Sequence, residues 1–291
     1  MREEDMLDVL SIGEVLVDLK IIDGRISMHT GGSCLNVSFY SRQAGAKSSF
    51  IGTVGDDFLG AHIKKELKEL DFKPALSVVD HNTTLVLIKA ERETPIPIIY
   101  RGADRFIKKE QLEEKWKDAR IVHTSAFALS LSPAKEMILE ALKSAKENGA
   151  LISVDPNYRR WIWKKWEADE KALLEAISLA DLVKPSLDDA KELLGIEDPI
   201  DILRRFKEMG AKNVILSMGS KGVIALTEEG RYIRVPAEKA ELVDPTGAGD
   251  SLLGTVLAKL SRGHDMEEAI RSGVEVASKV VSAEGTLVKV R

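Results

Sequence analysis

The sequence predicts an α/β fold, a mostly parallel central sheet with helices on both faces and a small amount of separate β structure. Three observations carry it. Short β-rich apolar runs alternate with amphipathic helical stretches from end to end. Two hairpin-like segments interrupt that alternation in the N-terminal third. A length of 291 residues, 44% of them hydrophobic, is enough for one large α/β core.

The expected core strands are Val9–Ile12, Ser49–Val54, Arg120–Thr124, Leu151–Asp155, Leu182–Lys184, Asn213–Ser217 and Val223–Leu226. Each is an apolar run too short for a helix. Lys20–Met28 has two apolar pairs about an Asp23-Gly24 turn, which is hairpin chemistry. The next helix spans Leu35–Ala44, and the one after it Phe58–Leu70, whose Lys/Glu-rich face belongs in solvent. Thr84–Arg101 reads as a second hairpin with a polar Glu91-Arg92-Glu93 tip. Pro95 and Pro97 remove two N–H groups from its second arm, so that arm should lie at a sheet edge. Ser132-Pro133 supplies an N-cap and an N1 proline to a helix striped by Met137, Leu139 and Leu142, and Asn148-Gly149 stops it. A last helical pattern begins near Leu252 and continues through Val256, Leu257 and Leu260. No internal repeat or linker interrupts the chain, so residues 1–291 are expected to form a single domain.

Bulk properties exclude several partner classes. The net charge of −5 is spread along the chain with no basic stripe, which argues against nucleic acid and anionic membrane. No apolar run approaches the ~20 residues that span a bilayer. The first residues, Met-Arg-Glu-Glu-Asp, lack the apolar region of a secretory signal. Cys34 is the only cysteine, and a cytoplasmic location is expected. Cys34 itself reads as a small packed residue. The five histidines show no zinc spacing, and Trp161, Trp163 and Trp166 read as packing around a helix start.

The densest chemistry lies in Asp244-Pro245-Thr246-Gly247-Ala248-Gly249-Asp250-Ser251-Leu252-Leu253-Gly254. Two glycines let a backbone approach a ligand closely, and the helix that follows aims free N–H groups and a positive dipole end at Gly247–Asp250. That combination holds phosphate-like anions, with Asp250 placed as a candidate base. No lysine-bearing phosphate loop of the Walker type is present. Asp18 follows a β run in an expected strand-to-loop position, where a carboxylate can accept two hydroxyl hydrogen bonds. Gly31-Gly32 reads as a hinge that lets a ligand come close, or else as an ordinary tight turn, and Asn36 as either a helix-start hydrogen bonder or a ligand contact. Asp155 and Asn157 end a β run, where α/β proteins gather ligands. Arg101 and Arg159 can fork to a carboxylate or phosphate. Ser217, Gly219 and Gly222 fit a turn between strands.

Five strings, in this order, resemble the ribokinase-like (PfkB-type) sugar kinases. They are Gly13-Glu14 with Asp18, Gly31-Gly32-Ser33-Cys34-Leu35-Asn36 with Gly52-Thr53-Val54-Gly55-Asp56-Asp57-Phe58-Leu59-Gly60, Asp155-Pro156-Asn157-Tyr158-Arg159, Leu216-Ser217-Met218-Gly219-Ser220-Lys221-Gly222, and Asp244–Asp250. The resemblance implies a three-layer fold with a β lid from about residues 14–30 and 83–101, which often pairs with another subunit to make a homodimer. It implies Asp250 as the general base and the backbone of Gly247, Ala248 and Gly249 as the anion hole. Asp18, Gly31, Gly32, Asn36, Arg101, Asp155, Asn157 and Arg159 would meet the sugar. Ser186, Ser217, Gly219 and Gly222 would meet ATP, the phosphate donor. Asp189 would serve Mg²⁺, directly or through water, and Asp244 a potassium-type ion. One departure stands out: the family carries Asn-x-x-Glu after Lys-Pro, and here Lys184-Pro185 precedes Ser186-Leu187-Asp188-Asp189. Tyr100-Arg101 with Asp155-Pro156-Asn157-Tyr158-Arg159 resembles the fructokinase and 2-keto-3-deoxygluconate kinase branch, fructose first. The alternatives are a nucleoside kinase and a non-catalytic sugar- or nucleotide-sensing protein.

Overall fold

The computed structural model describes residues 6–22, 24–89, 97–108, 110 and 119–290. The strands are β1 (Leu7–Ile12), β2 (Leu16–Ile22), β3 (Arg25–Gly31), β4 (Ser48–Gly55), β5 (Ala75–Val79), β6 (Leu85–Lys89), β7 (Ile98–Tyr100), β8 (Ala119–Ser125), β9 (Leu151–Asp155), β10 (Leu182–Val183), β11 (Asn213–Ser217), β12 (Val223–Leu226) and β13 (Tyr232–Val235). The helices are α1 (Ser33–Gln43), α2 (Phe58–Glu69), α3 (Ala134–Glu147), α4 (Arg160–Lys165), α5 (Lys171–Leu179), α6 (Leu187–Leu194), α7 (Pro199–Glu208), α8 (Ala248–Ser261) and α9 (Met266–Val280).

Nine strands form the main sheet in the order β13-β12-β11-β10-β9-β8-β1-β4-β5. From β11 to β5 every pairing is parallel, and β12 and β13 run antiparallel at one edge. Both faces are covered, which explains the continuous apolar runs. Neighbouring side chains on a strand point to opposite faces. Leu10 accordingly packs into the cluster with Ile138, Leu173 and Phe206, while Val9 joins the cluster with Leu253, Val256 and Ile270. All seven expected core strands are present. β5 and β13 were not expected: both are short edge elements with mixed exposure, and neither makes an apolar run. Helix α3 begins one residue later than its proline suggests, with Pro133 at the N-cap.

The second sheet has the order β3-β2-β6-β7. Both expected hairpins are there, β2/β3 and β6/β7, each antiparallel. Asp23, the Glu91-Arg92-Glu93 tip and Pro95 lie outside the described residues. A parallel β2/β6 pairing joins the two hairpins. β7, just after Pro97, takes the edge. Among the described residues no helix is long and apolar enough to cross a membrane.

Candidate active site

The carboxyl ends of the parallel strands line one edge of the main sheet, where open α/β folds bind ligands. Glu14 follows β1, Ser125 ends β8, Asp155 ends β9, Lys184 follows β10 and Ser217 ends β11. Ser186 and Ser217 are joined side by side by a parallel bridge.

Helix α8 starts over this edge. Gly247, at φ 81°, stands at its N-cap, and Asp250 lies in its first turn. Ser33 Oγ donates to Asp250 Oδ1 at 2.7 Å, and Asn36 Nδ2 donates to Oδ2 at 2.7 Å. Both donors sit in the first turn of α1. Burial and the Asp155 charge push the Asp250 pKa up to about 6, against Lys184, Asn36 and Ser33, which lower it. A base is most effective with a pKa near the working pH. Lys184 is buried beside it, with Nζ 2.8 Å from Asp155 Oδ2. The same Nζ lies 3.0 Å from where a Cβ would stand on Gly249, so the missing side chain leaves an ammonium against the turn.

Asp18 is not at a strand end but is the third residue of β2, because the apolar run continues past it to Ile22. A Cβ on Gly31 would stand 2.4 Å from Asp18 Oδ2, so the glycine makes room for this carboxylate. Burial pushes the Asp18 pKa up to about 7; Lys20 lowers it, and Asp244 and Asp250 raise it. Gly32 caps α1 at φ 117°. Behind it, buried Glu14 accepts from Ser125 Oγ at 2.8 Å and Cys34 N at 3.4 Å, tying two strand ends to the start of α1. Burial holds its carboxyl above the usual range. Asn157, at φ 30°, donates its N–H to Asp155 Oδ1 at 3.1 Å.

The arginines are spent within the protein. The Arg101 side chain is 2% exposed, lies 2.6 Å from Asp104 Oδ2, and donates to Ser130 Oγ at 2.8 Å. Its guanidinium also stacks 4.0 Å over the Phe127 ring. That enclosure argues against the expected sugar contact. Arg159 forms an ion pair with Asp189. The expected Mg²⁺ residue therefore already holds a cation, and a water-mediated role would require Arg159 to let go. Among the described residues no group of three His, Cys, Asp or Glu converges on a metal position. The side chains suit a Mg²⁺ carried on nucleotide phosphates and waters better than a resident ion.

Ser186 is the N-cap of α6, accepting from Asp189 N at 3.1 Å. This side-chain cap accounts for a serine in a position where the family carries asparagine. Ser217 donates to Pro185 O at 3.4 Å. Gly219 is exposed and open. A Cβ on Gly222 would meet Val235 O at 2.2 Å, so that glycine serves strand packing. Asp244 is paired with Lys20 across 2.5 Å. Sequence reasoning missed the roles of Ser33, Lys184 and Lys20. A signal existed for Lys20: two residues after Asp18 in a strand, it shares that residue's face.

The model of the pfkB family carbohydrate kinases matches residues 6–290. An ATP-dependent 6-phosphofructokinase of Thermoanaerobacterium thermosaccharolyticum is 31% identical across 98% of this chain and 91% of its own. The solved fructokinase of Halothermothrix orenii is 30% identical, with a TM-score of 0.81 over 96% of this chain and all (100%) of that one. Aminoimidazole riboside kinase from Salmonella enterica, solved with aminoimidazole riboside and an ATP analog, is 26% identical, with a TM-score of 0.86 over 96% and 95%. Across nearly its whole length, then, the chain belongs to the pfkB family of carbohydrate kinases, phosphotransferases that act on sugar hydroxyls.

Proposed function

We propose that this kinase transfers the γ-phosphate of ATP to a hydroxyl of a small ketose-type sugar, the neutral fructose first and the acid sugar 2-keto-3-deoxygluconate second. One observation carries the reading: Asp250, half-buried and raised toward neutral pKa, is gripped on both oxygens beside the Gly247–Gly249 turn. A base there takes the proton of the attacking sugar hydroxyl. The N–H groups of the turn and the Lys184 ammonium meet charge on the transferred phosphoryl. Asp18 accepts hydroxyls from the sugar, and Mg²⁺ bound to ATP neutralises its phosphates. The order of substrates follows from the arginines. Arg101 and Arg159, the forks suited to an acid sugar, each hold a protein carboxylate, which favours the neutral ketose.

Similarity to the Salmonella riboside kinase supports a nucleoside as the second reading. A sensor without turnover gains little support, since Ser186 is accounted for as a helix cap and a sensor has no use for a positioned base. The lid also suits a homodimer. Ile26, Ile98 and Tyr100 are 67%, 48% and 60% exposed, on the lid face opposite Asp18 and Lys20 by strand register. A second copy docked there would cover them. Sedimentation of the wild type and of Ile26→Lys tests this, and a wild-type monomer at micromolar concentration would sink the dimer.

The deciding experiment measures ADP production from Mg-ATP with fructose, 2-keto-3-deoxygluconate, fructose 6-phosphate, ribose, tagatose, inositol and nucleosides, with Asp250→Asn as control. One sugar with high kcat/KM that the variant loses supports the reading. Turnover that survives in the variant removes Asp250 as base, and silence across the panel with ATP still bound points to the sensor.

A further inference from the structure

Both oxygens of Asp244 are fully engaged. Oδ2 accepts from Lys20 Nζ at 2.5 Å and Gly285 N at 3.2 Å. Oδ1 accepts from Thr246 N at 3.0 Å and Thr246 Oγ1 at 2.5 Å. A carboxylate offers about four lone-pair sites, and these donors fill them. Desolvation opposes ionisation of Asp244, but Lys20 and Thr246 outweigh it and hold the carboxyl below its usual range. A potassium-type ion, which the family resemblance places on this residue, finds no free oxygen on it. The disagreement has a cause in the sequence. Lys20 reaches out of β2 with its side chain only 9% exposed, and Asp244 is 13% exposed. The ammonium supplies the single positive charge that such an ion would bring.

The location gives that charge a purpose. Thr246, 3.3 Å from the same ammonium, leads directly into Gly247 and the anion-hole turn. Gly285 belongs to the segment whose Thr286 carbonyl lies 2.9 Å from where a Gly247 Cβ would stand. Thr286 in turn donates to Thr30 O at the end of β3. The lid sheet, the 285–286 segment and the turn are thus fastened together around one ion pair.

We propose that Lys20 is a tethered monovalent cation, so that phosphotransfer by this chain needs no added potassium-type ion. The proposal rests on the kinase reading, and its test has an arm that needs no turnover. An ion that binds the folded chain raises its melting temperature as its concentration rises. The wild type should melt at the same temperature in potassium and tetramethylammonium chloride at equal ionic strength. Its kcat should be unchanged across the same series. In Lys20→Ala the turn loses its counter-charge, and kcat should fall by about 10²-fold, the cost of removing one oriented charge-stabilising group. Potassium or ammonium should restore part of that loss in Lys20→Ala and do nothing for the wild type. A lysine that only packs would give a loss without rescue. A wild-type melting temperature or kcat that climbs with potassium, or a Lys20→Ala enzyme indifferent to cations, overturns the proposal. If Lys20→Ala does not fold, the wild-type melting series decides alone.

Discussion

Asn36 Nδ2 stands 2.7 Å from Asp250 Oδ2 although 214 positions separate the two residues in the chain. The contact joins the first turns of α1 and α8. With Ser33 on the other oxygen, the carboxylate is fixed in rotation, and its remaining lone pairs keep one direction. Asn36, a sugar contact by the family resemblance, here donates to Asp250, and we propose that it acts through that carboxylate.

Replacing Asn36 by Ala should therefore lower kcat while leaving the sugar KM nearly unchanged. A misplaced base costs on the order of 10²-fold, an upper figure here because Ser33 remains. The Asn36 hydrogen bond also lowers the Asp250 pKa, so its loss should shift the acid limb of the kcat profile to higher pH. A large rise in sugar KM with an unmoved acid limb would return Asn36 to the sugar.

Asp250→Asn should reduce turnover by ~10²-fold or more and at the same time stabilise the fold. The sign follows from the raised pKa. In the folded chain the group titrates near 6 rather than 3.8, so its contribution is fully present below the unfolded value and lost as pH rises through 6. The shift corresponds to about 3 kcal/mol at neutral pH. The variant should melt higher than wild type at pH 8, and the two should converge below pH 4. Equal melting temperatures at pH 8 would contradict the burial argument.

The pH dependence of kcat/KM should have its acid limb between 7 and 6. Asp250 must be ionised to take a proton, so turnover falls as pH drops through about 6. Asp18, pushed up to about 7, gains a proton first and changes from a pure acceptor to a donor toward the sugar. Asp18→Asn should remove the upper part of this limb, raise the sugar KM and leave the ATP KM near its wild-type value. A limb near the ordinary carboxylate range would mean that the base is solvated.

Much of this arrangement was legible before folding, for local reasons. Gly247-Ala248-Gly249-Asp250 announces a helix start, and the structure begins α8 at Ala248 with Gly247 as its N-cap. Pro97 foretold that β7 would lie at an edge. The unread part is of another kind. Nothing local to Arg159 or Lys20 says which carboxylate each will meet, because Asp189 and Asp244 arrive from distant segments. The β2/β6 pairing that unites two hairpins is likewise parallel and non-local. Ser186, odd beside the family's asparagine, is accounted for by the N–H of Asp189 that it caps.

Arg101 gives a last test of what the long-range contacts changed. As a sugar contact, its loss would raise the sugar KM. In the structure its guanidinium is enclosed, paired with buried Asp104 and laid over Phe127. Arg101→Ala leaves that carboxylate without its cation, and breaking a buried pair on one side costs about 3–5 kcal/mol. The loss should appear as a lower denaturant midpoint at unchanged slope. Removing both partners, in Arg101→Leu with Asp104→Leu, should recover part of the stability, since no charge is then left buried alone. A variant as stable as wild type but weak for sugar alone would mean that the pair opens when the substrate binds.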